Sequence, residues 1–215
     1  EGSDPELKRL KAAAEEALAD ADYSRVDDLL AQAEAIEHKT RLQAKETYEK
    51  VALREAAIRA TRGEAAMADY RFAKAAGHFA KAIQLAPPNH SDIRQKYAFM
   101  EANALYQSGT ISRRSENLDR AVQKFRGILK GTREKKVSEF VAQVQNRIGA
   151  ALTKKAMIVA GKEAHFILEQ AVSAYRDALR VWSRKKFPQS WAIVKVNLGN
   201  VYQEMALRHG GSNAE

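Results

Sequence analysis

Apolar residues recur at intervals of three and four along most of the chain, and this spacing limits the possible folds more than any other feature. In the segment that follows Asp4-Pro5, the recurring side chains are Leu7, Leu10, Ala14, Ala17 and Leu18. Such intervals place side chains on one face of an α-helix, whereas a half-buried strand requires strict alternation. No segment shows a convincing run of alternation, so the sequence predicts an all-α protein without a sheet.

The composition also favours helices. Alanine, the residue with the highest helix propensity, occurs 39 times among the 215 residues. Glycine (11) and proline (4), which form the turns of all-β folds, are scarce. The apolar spacing and the few breakers together predict about nine helices, at approximately 5–18, 26–36, 40–69, 72–83, 93–106, 118–129, 137–159, 166–182 and 191–207.

The net charge and the absence of cysteine limit the classes of function that are possible. The net charge is +9, which permits nucleic acid, an anionic membrane or an acidic protein surface as a partner. Residues 1–50 hold 13 acidic and 8 basic side chains, whereas residues 51–215 hold 14 and 28, so the positive charge lies in the second part. Without cysteine, the chain has no disulfide, no cysteine nucleophile and no thiolate metal ligand.

No run of 18 apolar residues is present, and the first residues lack the layout of a signal peptide. We therefore expect a cytoplasmic location and no membrane partner. The chain does not begin with methionine, which leads us to expect a module of a larger protein.

The sequence contains an internal repeat with two parts. A small residue stands at an equivalent place in four segments, namely Gly63, Ala102, Gly149 and Gly199. An alanine–aromatic–apolar pattern follows three of them, as Ala75/Phe79/Ala82, Ala121/Phe125/Ile128 and Ala171/Tyr175/Ala178. A small residue lets a second helix approach closely, and an aromatic residue one turn later fills the groove between repeats. Neither helix of such a pair buries its apolar face alone, so neighbouring pairs must stack.

These residues resemble the tetratricopeptide (TPR) repeat, a helix–turn–helix unit of 34 residues, in the long-repeat form found in bacterial proteins. The resemblance covers residues 15–207, although the small residues here are 39, 47 and 50 positions apart. It implies a right-handed α-solenoid of antiparallel helix pairs. Residues 1–39 would form a degenerate N-terminal helical pair, residues 40–209 an array of extended repeats, and residues 210–215 a disordered tail.

In TPR proteins the first helices of successive repeats line a concave groove. The resemblance places in this groove Lys96, Phe99, Asn103, Tyr106, Gln107, Gln143, Asn146, Lys154, Asn200 and Gln203. Amide side chains can pair with both the donor and the acceptor of a peptide backbone. The resemblance therefore implies a non-enzymatic scaffold that binds a peptide or a helix of another protein. The carboxylate clamp of some TPR domains is not expected, because Phe99 stands where that clamp needs lysine.

Two other functions remain open. Basic residues gather at two equivalent turns, and together they form what we call the basic ridge: Lys130, Arg133, Lys135, Lys136, Arg184, Lys185 and Lys186. Nucleic acid or anionic lipid could bind there. Simple exposure of charged turns is favoured, because no aromatic residue alternates with these bases. The third possibility is self-assembly through a terminal repeat, and the oligomeric state stays open.

No catalytic pattern stands out. The five histidines do not share the spacing that would place two metal ligands on one helix face, and the adjacent carboxylates point in different directions on a helix. The glycine-rich loops that bind phosphate are also missing. We therefore expect no enzymatic activity, no metal and no cofactor.

Overall fold

The computed structural model describes residues 4–131 and 138–211, with side chains described as far as Arg208. Within these residues the chain forms helices and no strand, which confirms the all-α prediction. The helices are α1 (Pro5–Ala19), α2 (Tyr23–Ala68), α3 (Phe72–Leu85), α4 (Ser91–Ser112), α5 (Ser115–Gly131), α6 (Glu139–Ala156), α7 (Gly161–Leu179) and α8 (Pro188–Gly211). None of these helices combines the length and the apolar character needed to cross a membrane.

The prediction of nine helices is wrong, because the described residues form eight. The helices predicted at 26–36 and 40–69 are one helix, α2. Residues 37–39 between them contain neither glycine nor proline, so the backbone has no reason to leave the helix. The apolar spacing lapses there because the residues from Glu37 to Tyr48 are exposed to solvent.

The polar segment 110–117 is also more helical than its composition predicts. Helix α4 continues through Gly109 to Ser112, and α5 begins at Ser115. The hydroxyl groups of Thr110 and Ser112 donate to carbonyl groups one turn earlier, at 2.8 and 2.6 Å, so these polar side chains do not disturb the helix. The turn itself needs only Arg113, whose φ of 52° lies in the left-handed region.

Two compact units make up the chain, and the division falls after Arg54. The first unit contains α1 and the beginning of α2. Asp4 caps α1 by accepting a hydrogen bond from the backbone N–H of Glu6 at 2.9 Å. The buried residues of the first unit are mostly alanines, such as Ala14, Ala17 and Ala33, so its helices bury few large side chains. The boundary predicted at residue 39 stays a prediction.

The second unit contains the end of α2 and helices α3 to α8. Each helix from α3 to α7 packs on the helix that follows it, and α4 also contacts α6, as α6 contacts α8. The largest fully buried side chains include Phe79, Phe125, Leu118 and Leu168. The second unit therefore has the continuous apolar core that the first unit lacks.

Glycines mark three close helix contacts in the second unit, at Gly109 with Leu118 and at two glycines that lie under an aromatic ring. A Cβ atom on Gly63 would lie 2.6 Å from the ring of Phe79, and one on Gly149 would lie 2.7 Å from the ring of Tyr175. Carbon atoms in normal contact are about 3.5–4.0 Å apart, so only glycine leaves room for these rings. The small residue and the aromatic residue of the internal repeat thus meet across a helix pair, α2 with α3 and α6 with α7.

Arginine side chains cap two helix ends from a neighbouring helix. Nη1 of Arg94, on α4, donates to the carbonyl groups of Ile83 and Ala86 at the end of α3, at 2.8 and 2.7 Å. Nη2 of Arg208, on α8, donates to the carbonyl of Ala156 at the end of α6, at 2.8 Å. The last carbonyl groups of a helix have no partner within it, so each arginine satisfies acceptors and ties two helices together.

One carboxylate lies inside the second unit. Glu101 on α4 is buried, and Lys124 on α5 contacts its carboxylate at 2.8 Å. A buried charge is costly unless it is paired, so this ion pair fixes which faces of α4 and α5 can meet.

Candidate functional site

A cleft of about 490 Å³ lies along the N-terminal halves of α4 and α6. The residues that line it are Asp92, Gln95, Lys96, Phe99, Met100, Phe140 and Gln143. Three of these are large apolar side chains, and the remaining four place charges and amides around them. A cleft with this lining suits an apolar side chain whose neighbours can make polar contacts.

Phe99 gives this cleft a fixed wall. Its ring centroid lies 5.6 Å from that of Phe125 on α5 and 5.7 Å from that of Phe140 on α6. Such edge and tilted contacts stabilise an aromatic pair beyond the area that it buries. Phe99 therefore serves the core and the cleft at once, and the wall of the cleft is part of the folded core.

A second cleft, of about 370 Å³, continues from the first. It is lined by Glu139, Phe140, Gln143, Asn146, Arg147, Trp182 and Ser190. Because Phe140 and Gln143 line both clefts, the two form one path along α6, which we call the α6 groove. The amide of Asn197 on α8 donates to Oδ1 of Asn146 at 3.3 Å and holds α8 beside this path.

Trp182 lines the second cleft of the α6 groove. Its side chain is 6% exposed, and within the described part of the chain its buried Nε1 has no hydrogen-bond partner. A buried N–H without an acceptor costs free energy, so this indole is held in place by its packing between helices.

The structure brings together some of the predicted groove residues. Lys96, Phe99, Gln143 and Asn146 line the α6 groove. The amide of Asn103 instead donates to the carbonyl of Phe99 on its own helix, at 3.0 Å. The others, which do not line these two clefts, are Tyr106, Gln107, Lys154, Asn200 and Gln203, and the last two are exposed on α8.

Sequence reasoning missed Phe140 and Trp182. Phe140 lies three residues before Gln143, so the helical spacing that selected Gln143 also places Phe140 on the same face. Trp182 follows the end of α7 and enters the groove only through the packing of α6, α7 and α8. Its place was not readable from the spacing on any one helix.

The structure describes four of the seven residues of the basic ridge. Lys130 is exposed at the end of α5, and Arg184, Lys185 and Lys186 are exposed between α7 and α8. Arg133, Lys135 and Lys136 lie outside the described residues. No aromatic residue alternates with these bases in the sequence, but the fold brings one to the second turn: the ring of Trp191 lies 5.7 Å from the guanidinium of Arg184 and 5.8 Å from Nζ of Lys195.

Another group of bases lies where α2 meets α3. Burial lowers the pKa of His78, and the cations Arg62, Arg59, Lys74 and Arg71 lower it further. The two arginines at 59 and 62 are three residues apart on α2, and Lys74 is four residues before His78 on α3. Because these residues belong to two helices, the sequence showed no cluster.

Tyr175 is the most strongly shifted titratable group. Burial raises the pKa of its hydroxyl to about 12, although a hydrogen bond with the side chain of Thr153 acts in the opposite direction. Such a hydroxyl stays protonated at neutral pH and serves the packing of α6 on α7. Across the described residues, no three histidine, aspartate or glutamate side chains are grouped so that they could hold a metal ion.

No protein-family model, no curated protein and no solved structure matches this chain.

Proposed function

We propose that this protein is a non-enzymatic interaction scaffold that binds a segment of another protein in the α6 groove. The observation that carries the proposal is the continuity of the two clefts through Phe140 and Gln143. A single pocket would suit a small ligand, whereas a path along a helix, with an apolar end and an amide-rich end, suits a chain of several residues.

The lining of the groove defines the ligand. An apolar side chain would enter the first cleft against Phe99 and Phe140. In the second cleft, the amides of Gln143 and Asn146 would pair with the backbone of the bound segment. Trp182 would contact the bound segment at this end of the groove.

We propose a TPR-like solenoid as the architecture behind this groove. Two features support it. The contacts of α4 with α6 and of α6 with α8 join alternate helices, as stacked helix pairs require. The close contact between glycine and an aromatic ring occurs once in the pair α2–α3 and again in the pair α6–α7. A bacterial source and a cytoplasmic setting stay predictions from the sequence.

The test begins with a peptide selected from a displayed library against the immobilised protein, and its dissociation constant is measured by titration calorimetry. Lys96 and Gln143 are exposed, so replacing both by alanine leaves the core intact. We expect the double variant to bind about tenfold more weakly, which corresponds to about 1.4 kcal/mol and to the loss of one or two hydrogen bonds.

The matched control replaces another exposed lysine and another exposed glutamine, Lys162 and Gln123, which lie on α7 and α5 away from the groove. This control should bind as the unmodified protein does. If the groove variant and the control bind equally well, the selected peptides use another surface and the proposal fails.

The second candidate function is binding of nucleic acid by the basic ridge, and the contacts of Trp191 with Arg184 and Lys195 favour it. Aromatic rings beside cations provide stacking together with charge. A gel-shift experiment at about 50 mM salt tests it, because phosphate contacts are strongest at low salt. A shift that disappears when Lys185 and Lys186 become alanine would support this function, and the absence of a shift would remove it.

A further inference from the structure

Helix α8 repeats the packing surface of α6. In α6, three small residues seven positions apart, Ala142, Gly149 and Ala156, are buried. Fifty residues later α8 carries the same three residue types at the same spacing, Ala192, Gly199 and Ala206, and all three are exposed. A spacing of seven keeps residues on one helix face, so α8 presents to solvent the face with which α6 packs.

The structure shows what covers such a face. Gly149 lies under the ring of Tyr175 on α7, and Gly63 lies under the ring of Phe79 on α3. Apart from the neighbouring backbone of α8 itself and the residues on either side, no atom of the described residues lies within 4 Å of the place where a Cβ of Gly199 would be. The two filled contacts indicate that an aromatic side chain, carried by a helix, fits over Gly199.

Exposed apolar side chains stand near Gly199, together with the polar side chains of Lys195 and Gln203. Val196 is 63% exposed, Tyr202 46% and Leu207 67%. Next to them, a cleft of about 490 Å³ separates α7 from α8, with Val172 and Met205 in its lining. Several large apolar side chains exposed on one face mark a protein interaction surface more often than isolated ones do.

Two cations at the edge of this face are unmatched. Among the described residues, Arg176 contacts the hydroxyl of Tyr202 at 3.2 Å and no carboxylate. Lys195 lies against the ring of Trp191 and likewise contacts no carboxylate. A partner that carries carboxylates beside its apolar residues would complement these charges.

We propose that this face of α8 binds an amphipathic helix of a partner protein, with an aromatic side chain over Gly199 and acidic residues opposite Arg176 and Lys195. The helix packs on α8 as α7 packs on α6. This site lies on a different face from the α6 groove and does not depend on it.

The probe is a fluorescent peptide with the sequence of residues 161–182, because this segment contains the helix that covers the equivalent glycine, Gly149. Anisotropy titration of the unmodified protein should show saturable binding. Replacing Tyr175 by alanine in the peptide should weaken binding about tenfold, since a buried aromatic residue at an interface is worth more than about 1 kcal/mol.

The protein variant Gly199→Leu fills the space above α8 without striking a neighbour, and it should also weaken binding about tenfold. Gly127→Leu is the matched control, because Gly127 is another exposed helical glycine with nothing within 4 Å of its Cβ position. This control should bind the peptide normally. Both variants should still bind the peptide selected for the α6 groove, so the two proposals fail or survive separately.

Three results would overturn the proposal. The first is no saturable binding to the unmodified protein, and the second is equal binding by Gly199→Leu. The third comes from light scattering: a dimer of the unmodified protein that Gly199→Leu abolishes would assign this face to a second copy of the chain.

Discussion

Replacing single glycines by alanine tests the helix packing most sharply, because the same change meets two opposite environments. At Gly149 a new Cβ would lie 2.7 Å from Cε1 of Tyr175 and 2.8 Å from Cδ1 and Cζ. The ring is 2% exposed and has no free space to enter. At Gly199 the new Cβ meets nothing within 4 Å.

The expected magnitudes follow from two effects. Alanine in place of glycine stabilises a helix interior by about 1 kcal/mol at either position. Overpacking a close contact costs about 1–3 kcal/mol, and this cost arises only at Gly149. Gly199→Ala should therefore raise the free energy of unfolding by up to about 1 kcal/mol. Gly149→Ala should be less stable than Gly199→Ala by about 1–3 kcal/mol, because the helix propensity cancels in the comparison.

Urea denaturation followed by tryptophan fluorescence is the suitable assay, since Trp182 and Trp191 both lie in the second unit. A further variant makes the comparison more specific. In a Tyr175→Leu background, the added methyl group at position 149 should reduce the free energy of unfolding by a smaller amount. Equal stability of Gly149→Ala and Gly199→Ala would refute the reasoning, because the ring of Tyr175 would then not occupy the space above Gly149.

Three other predictions concern single interactions of the second unit. Arg94→Met should lower the free energy of unfolding, measured by urea denaturation, by about 1–3 kcal/mol, because it leaves two carbonyl groups at the end of α3 without a donor. The control Arg120→Met, on the exposed face of α5, should change this free energy little. Lys124→Met should cost about 3 kcal/mol in the same assay, because the carboxylate of Glu101 stays buried without its cation, and adding Glu101→Gln should recover part of the loss. The raised pKa of Tyr175 stabilises the folded protein fully at a pH below about 10, the pKa of tyrosine in the unfolded chain, and this stabilisation is lost as the pH rises through about 12, its pKa in the folded protein. The urea midpoints at about pH 9 and pH 11 should therefore differ more for the unmodified protein than for Tyr175→Phe.

The all-α fold class and the positions of close helix contacts could be predicted from the sequence. Residues at helical spacing selected faces that are mostly buried, and Gly63 and Gly149 lie at close helix contacts as the sequence predicts. That the rings of Phe79 and Tyr175 cover these glycines is a finding of the structure, because the sequence placed the aromatic residues in the groove between repeats. These predictions succeeded because each rests on steric limits that a helix imposes wherever it packs. Only glycine leaves room for a ring so close to a helix backbone.

Helix ends were harder to predict, for two physical reasons. Residues 37–39 lost the apolar pattern because they face water, not because the helix ends there. Residues 110–112 have the composition of a loop, yet the hydroxyl groups of Thr110 and Ser112 bond back to their own helix. A polar stretch without glycine or proline therefore says little about where a helix stops.

The α6 groove could be predicted from the sequence only in part. Lys96, Phe99, Gln143 and Asn146 were placed in a groove from the sequence, and they line the α6 groove, whereas the other predicted residues do not line its two clefts. The contribution of Trp182 depends on the three-dimensional packing of three helices. The capping of helix ends by arginine side chains could not be predicted either, since Arg208 contacts a carbonyl 52 positions away in the sequence.

The most direct test of the proposed groove uses the two tryptophan indole groups as reporters. Only Trp182 and Trp191 give indole N–H signals in a ¹⁵N–¹H correlation spectrum, and the variant Trp191→Phe assigns them. When a library-selected peptide is added, the Trp182 signal should move, because the peptide packs against this residue in the second cleft, while the Trp191 signal stays in place. A shift of the Trp191 signal alone would move the binding surface to the basic ridge and contradict a groove along α6.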